Sequence, residues 1–223
     1  MLEIIALSVE DAKIIEASGG DRIELVSAIS EGGLTPSYGM IESVVEAVDI
    51  PVNVMIRPHG FNFEYNDYDL EVMKKDIKII ESLGASGIVL GVLKEKKADL
   101  KVLEELIDTD LNVTFHRAID ETQVLESYKS ISSVKKINQI LTSGGPGKAA
   151  DNMEFIKELY EYCPEKLLIG SGVTLNNLPY LLEAFPRANF HVGSDARVNQ
   201  TFGNRIDEKH IRLMVKLIRD GKM

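Results

Sequence analysis

The chain has 223 residues, a formal net charge of −10 from 25 Lys and Arg against 35 Asp and Glu, and the mixed composition of a globular protein, 44% hydrophobic and 27% charged. The acidic balance argues against nucleic acid, whose affinity comes from neutralised phosphates, although a nest of backbone N–H groups can still hold one small anion. One Cys makes no internal disulfide and suits a reducing cytoplasm, residues 1–10 lack a signal-peptide pattern, and no run approaches about 18 apolar residues, so no membrane span is expected.

Eight short runs rich in Ile, Leu and Val punctuate the chain at residues 2–6, 22–26, 52–56, 87–92, 112–116, 139–142, 166–170 and 189–193. Several are apolar on both faces, as in Ile88-Val89-Leu90 and Leu167-Leu168-Ile169, which is how strands buried on both sides of a parallel sheet read. Helical periods lie between them. Ser8 and Asp11 have capping spacing before Ala12, Ile14 and Ile15. Thr35-Pro36-Ser37, Thr174 and Asp207 mark further helix starts, with Pro36 tolerated in a first turn. Leu70, Met73, Ile77 and Ile80 fall on one helical stripe that Gly84 ends, and Ile211, Met214, Val215 and Ile218 make another. Alternating strands and helices of this number predict one (β/α)8 TIM barrel over residues 1–223. A doubly wound sheet would call for a Gly-rich first turn, and Leu7-Ser8-Val9 has none.

In such a barrel chemistry sits at the C-terminal strand ends. Glu24, Arg57 and His116 are the expected catalytic set: His116 as general acid or base, Arg57 as a clamp for a carboxylate, phosphate or enolate oxygen, Glu24 as orienter or base. The glycines of Gly144-Gly145, Gly170-Ser171-Gly172 and Gly193-Ser194 form turns whose N–H groups can converge on an oxyanion, with Arg197 as reinforcement. His59, Arg117, Asp120, Ser143, Gly144, Gly145, Ser171, Gly172, Ser194 and Arg197 are therefore the expected ligand-binding residues, for a small anionic ligand. His191 reads as a hydrogen-bonded core residue and His210 as a solvated one. Strand ends offer no lysine, which disfavours a Schiff-base mechanism.

Ile23-Glu24-Leu25 followed by Glu31-Gly32-Gly33-Leu34-Thr35-Pro36-Ser37 resembles a signature of the copper homeostasis protein CutC family. So do Met55-Ile56-Arg57-Pro58, Thr114-Phe115-His116-Arg117-Ala118 with Asp120, and Leu141-Thr142-Ser143-Gly144-Gly145. The resemblance implies a cytoplasmic barrel, an association with copper homeostasis, copper as the one cofactor to consider, and a homo-oligomer. The chain departs from the family pattern where relatives carry Cys: Val26 stands after the second-strand Glu-Leu, and Ile5 and Ala6 stand in the first strand. Cu(I) prefers thiolate and thioether ligands, and the lone Cys163 is expected at the opposite, N-terminal face, so a tight Cu(I) site is not expected. Two readings stand: a copper-handling protein, or a barrel enzyme acting on a small anionic or phosphorylated metabolite by acid/base chemistry.

Overall fold

Each of the eight apolar runs becomes a strand of one closed parallel barrel in the computed structural model, which describes residues 1–221. Lys222 and Met223, the last residues of the expected 1–223 unit, lie outside the described residues. The strands are β1 (Leu2–Ala6), β2 (Arg22–Leu25), β3 (Val52–Met55), β4 (Gly87–Leu90), β7 (Asn112–Phe115), β8 (Ile137–Thr142), β9 (Leu167–Ile169) and β10 (Asn189–Val192). They follow one another around the barrel in chain order, and β1 closes it by pairing with both β2 and β10. A two-stranded hairpin, β5 (Leu93–Lys94) and β6 (Lys97–Ala98), stands outside this sheet.

The intervening helices are α1 (Val9–Ala17), α2 (Tyr38–Val45), α3 (Asp67–Ser82), α4 (Leu100–Leu106), α5 (Val124–Ser133), α6 (Met153–Tyr162), α7 (Leu178–Ala184) and α8 (Glu208–Asp220). Their starts follow side-chain chemistry. Ser8 accepts from the Asp11 N–H, Ser37 from the Met40 N–H, and Asp207 from the N–H groups of Lys209 and His210, each satisfying donors that a first turn leaves open. Asn66 caps α3 in a reciprocal box with Asp69. Two expected starts shift. Pro36 precedes the cap at Ser37 instead of occupying the first turn, and Thr174 bonds Asn177 in a turn that delays α7 to Leu178. Among the described residues no helix is long and apolar enough to cross a membrane.

Strand alternation sorts the side chains into two environments. Ile4, Leu25, Val54, Ile88, Phe115, Ile169 and Phe190 belong to the large core shared by strands and helices. Ile5, Val26, Met55 and Val89 form a separate small cluster inside the barrel. Two residues before Ile5, Val26 and Met55 stand the polar Glu3, Glu24 and Asn53, and Arg22 and His191 flank Glu3 in the register. The Arg22 Nε donates to Glu3 Oε2 at 2.6 Å, and a second guanidinium nitrogen reaches Gln139 Oε1. Glu3 is fully buried and Arg22 nearly so. A buried charge stripped of its partner is costly, so Arg22→Ala should lower unfolding free energy by about 3–5 kcal/mol. Urea denaturation measures it, and a loss under about 1 kcal/mol, the scale of an exposed pair, would contradict the pairing.

Candidate functional site

The barrel opens at the C-terminal strand ends into a cavity of about 790 Å³. Glu24, Met55, Arg57, Phe63, His116 and Arg117 line one part of it, and Lys148, Ser171, Gly172, His191, Ser194 and Phe202 another. The three residues expected to carry catalysis therefore face one space.

His116 directly follows β7 and is 3% exposed. Its Nδ1 accepts the Ala118 N–H at 3.2 Å, so in the neutral ring the proton sits on Nε2, which is buried without a partner. Burial, then the positive charges of Arg57 and Arg117, push its pKa down to about 3. His116 is thus a neutral hydrogen-bond donor at neutral pH. Gly91 makes room for it: a Cβ there would lie 2.6 Å from Nδ1. Phe63 packs on the ring at a centroid distance of 4.8 Å.

Glu24 is equally buried, and its Oε1 has no partner. Burial raises its pKa to about 7; the negative charge of Glu3 adds to this, while His191 and Arg22 oppose it. Behind it His191 Nδ1 meets Glu3 Oε1 at 2.8 Å, and His191 Nε2 lies 3.8 Å from Glu24 Oε2. Burial alone would lower the His191 pKa, but Glu24 and Glu3 reverse that and raise it. Burial likewise opposes the ionised form of Glu3, yet Arg22 and His191 hold its pKa below the ordinary value. His191 is hydrogen-bonded as expected, and it also lines the cavity, which the strand pattern did not indicate.

Arg57 serves as a strap as well as a wall. It donates to the carbonyls of Glu31 at 2.8 Å, Gly33 at 3.3 Å and Gly60 at 3.2 Å, and lies 4.6 Å over the Phe63 ring. Its Nε is buried and unpartnered. Arg117 pairs with Asp120 at 2.8 Å, and Asp120 also accepts from the Thr142 hydroxyl and from the Ser143 hydroxyl at 2.8 Å.

The glycine turns separate into different roles. The Ser143 N–H goes to Asp120 and the Gly144 N–H to Thr142 Oγ1, so these expected anion donors are occupied within the loop that carries Gly145. Ser171 and Gly172 both adopt left-handed backbone, with φ of 67° and 73°, and border the cavity with Ser194. Arg197 turns away: it is buried against Asp11 and the Asn204 carbonyl, and is not a cavity wall. His59 sits 3.6 Å from Asp69 and stacks on Phe61, also away from the walls. His210, expected in solvent, pairs with Asp195 at 2.8 Å because the cap at Asp207 points its helix start toward β10. Lys148 was not singled out from the sequence because it lies six residues past β8 in a loop of no fixed period. It lies across Gly172, and among the described residues it makes no ion pair.

Donor chemistry decides what metal these residues suit. Glu3, Glu24 and His191 bring donor atoms within 4.8 Å of one another. Glu3, however, spends one oxygen on His191 and the other on Arg22. Two free donors remain, fewer than the three protein ligands of an open catalytic zinc site. For Cu(I) the set is poorer still. Among the described residues Met55 is the one sulfur residue of the cavity walls, and Cys163 lies half-buried at the end of α6, ahead of β9 and so at the opposite end of the barrel.

The CutC family model matches residues 1–195. The chain belongs to the CutC family. It is 39% identical to the human copper homeostasis protein cutC homolog over 86% of this chain and 72% of that protein. It is 38% identical to a CutC family protein of Photorhabdus laumondii over 79% of this chain and 73% of that one. The crystal structure of CutC from Streptococcus agalactiae matches with a TM-score of 0.80 at 30% identity, covering 86% of this chain and 97% of that one. Phosphoribosylanthranilate isomerase from Thermotoga maritima, at 12% identity and a TM-score of 0.66, shares the barrel fold alone with this CutC-family chain.

The two shifted groups should shape stability in opposite directions. The unfolded chain protonates His116 below about 6.5, while the folded chain resists until about 3, so His116 makes stability fall as pH drops through that window. The Glu24 contribution is present below 4.5 and lost as pH rises through about 7. The two windows overlap between pH 4.5 and 6.5, where their slopes oppose, so in denaturation measurements against the parent H116N should turn stability downward with rising pH there and E24Q upward, each by up to about 1.4 kcal/mol per pH unit. Identical pH curves for H116N and the parent would contradict the assignment.

Proposed function

We propose that this member of a copper homeostasis family is a cytoplasmic enzyme that moves a proton on a small anionic metabolite, and not a Cu(I) ligand protein. One observation carries the reading: Glu24 and His116 both line the cavity, and each keeps a buried polar atom without a partner, Glu24 Oε1 and His116 Nε2. Buried polar groups are normally satisfied, and atoms left open in a walled cavity are what a ligand completes. Glu24, with a pKa raised to about 7, is matched to proton transfer near neutral pH. Neutral His116 donates to an oxygen on which negative charge develops, such as an enolate, without first losing a proton of its own.

The Arg57 guanidinium, held by backbone carbonyls, and Lys148 stand on the walls with no carboxylate partner among the described residues, and they support an anionic ligand. Val26, Met55 and Phe63 supply an apolar face, so the ligand is a small carbon compound carrying a carboxylate or phosphate. The reaction class is proton abstraction beside a carbonyl. Lys148 is the wall lysine that a Schiff-base mechanism would need, but no base is shown within reach of it.

Keto acids and sugar phosphates incubated with the protein in D2O should include one whose C–H exchanges for deuterium, followed by proton NMR. That compound should also raise the melting temperature, since ligand at about 100 times its Kd adds about 2.7 kcal/mol. E24Q and H116N should each slow exchange by at least about 100-fold, the usual scale of general acid–base catalysis. Stoichiometric Cu(I) binding under anaerobic competition, with no exchange in any compound, would overturn the reading.

A further inference from the structure

The most developed constellation that the proposed chemistry leaves unused lies under the cavity floor. Glu3, Arg22, Gln139 and His191 form a continuous chain of side-chain contacts inside the barrel, ending beside Glu24. Glu3 sits in the register between Arg22 on one neighbouring strand and His191 on the other, so the sheet itself holds the three together. The Glu3 contact fixes the His191 ring by its Nδ1, which leaves Nε2 as the nitrogen turned toward Glu24. That nitrogen is 3.8 Å from Glu24 Oε2, beyond hydrogen-bond length, while Oε1 is unpartnered. A shift of about 1 Å by either side chain, or one water placed beside the pair, completes the path.

We propose that His191, oriented by Glu3, is a positioning and proton-relay residue for Glu24, exchanging one proton between its Nε2 and the Glu24 carboxylate. In one direction the imidazolium N–H bond breaks and a carboxyl O–H bond forms, leaving neutral imidazole with its Nδ1–H still on Glu3. In the other the proton returns and no charge leaves the pair. Arg22 offsets Glu3, so the cluster stays neutral overall with the single proton on either residue. Arg22 and Glu3 are the charged groups that act on this pair, and Asn53 and Gln139 are its neutral polar neighbours. Starting from ionised Glu24 beside neutral His191, the one proton that Glu24 takes from a ligand can pass to His191 Nε2 and return without opening to solvent. The inference deepens the proposed acid/base function and rests on Glu24 being its base.

Its test requires no substrate. The imidazole shifts of His191 in the full chain, labelled with 13C and 15N, are followed by NMR from pH 4.5 to 9.5. Proton sharing predicts a two-step titration for His191, because two interacting groups titrate as a pair. E24Q should collapse it to one step with its midpoint lowered by about one unit or more. E3Q should lower the midpoint and also move the Nδ1 resonance. E3Q leaves Arg22 without its carboxylate and can fail to fold, so E24Q, which leaves the Arg22 pair intact, decides the question. A His191 titration unchanged in E24Q overturns the relay while leaving the proposed function standing. The two-step titration, with no deuterium exchange in any compound, overturns the proposed function and leaves the proton coupling intact.

Discussion

The buried pair of Glu3 and Arg22 sets the terms for the rest of this barrel. Barrel interiors are usually filled by layers of branched apolar side chains. Here one layer carries Glu3, Arg22 and His191 in register, and the next carries Glu24. Charges at that depth persist only when each has a partner, so their positions are tied to strand register. Apolar Ile5 is level with Glu24, and Val26 and Met55 follow two residues after Glu24 and Asn53, toward the C-terminal strand ends. The site is therefore a charged plug under an apolar collar, with Glu24 as the plug's one open carboxyl.

Much of the fold was legible because alternation and apolar run length are local properties. The eight runs gave eight strands, and the caps at Ser8, Ser37 and Asp207 follow from side chains adjacent to the turns they close. The hairpin of β5 and β6 was not legible. Its turn residues, Glu95 and Lys96, hold φ of 50° and 59°, where Asn-Gly would have been the recognisable signal. Site residues were legible to the extent that strand position decides them. Glu24, Arg57 and His116 follow from strand ends, whereas Arg197 and Lys148 depend on how loops return. Arg197 sits in a loop that turns its guanidinium to Asp11, across the join between the first and last strands. No spacing rule relates residues so far apart.

Family membership and site chemistry point in different directions, and physical chemistry explains how both hold. The family match spans residues 1–195, and within that range Glu24, Arg57, His116 and the loop after β8 build the cavity walls and their supports. None of those residues is a soft ligand. At the positions where thiols are expected, Val26 and Ile5 instead form part of the apolar collar. The cavity walls present carboxylate, imidazole, guanidinium and ammonium groups, and a link to copper homeostasis does not require the metal to touch them.

The join between β1 and β10 carries a consequence for folding kinetics. Glu3 and His191 are 188 residues apart in sequence, and Asp11 and Arg197 are 186 apart. Contacts of such separation close loops spanning most of the chain, and their entropy cost falls due before any of them forms. These two charged contacts therefore belong to the final closure of the barrel, after the nucleus has formed. Interactions absent from the transition state act on the unfolding rate and leave the folding rate nearly unchanged. The charged join thus acts as a latch on the lifetime of the closed barrel, and the same ring that orients the cavity floor sets how long that floor stays assembled.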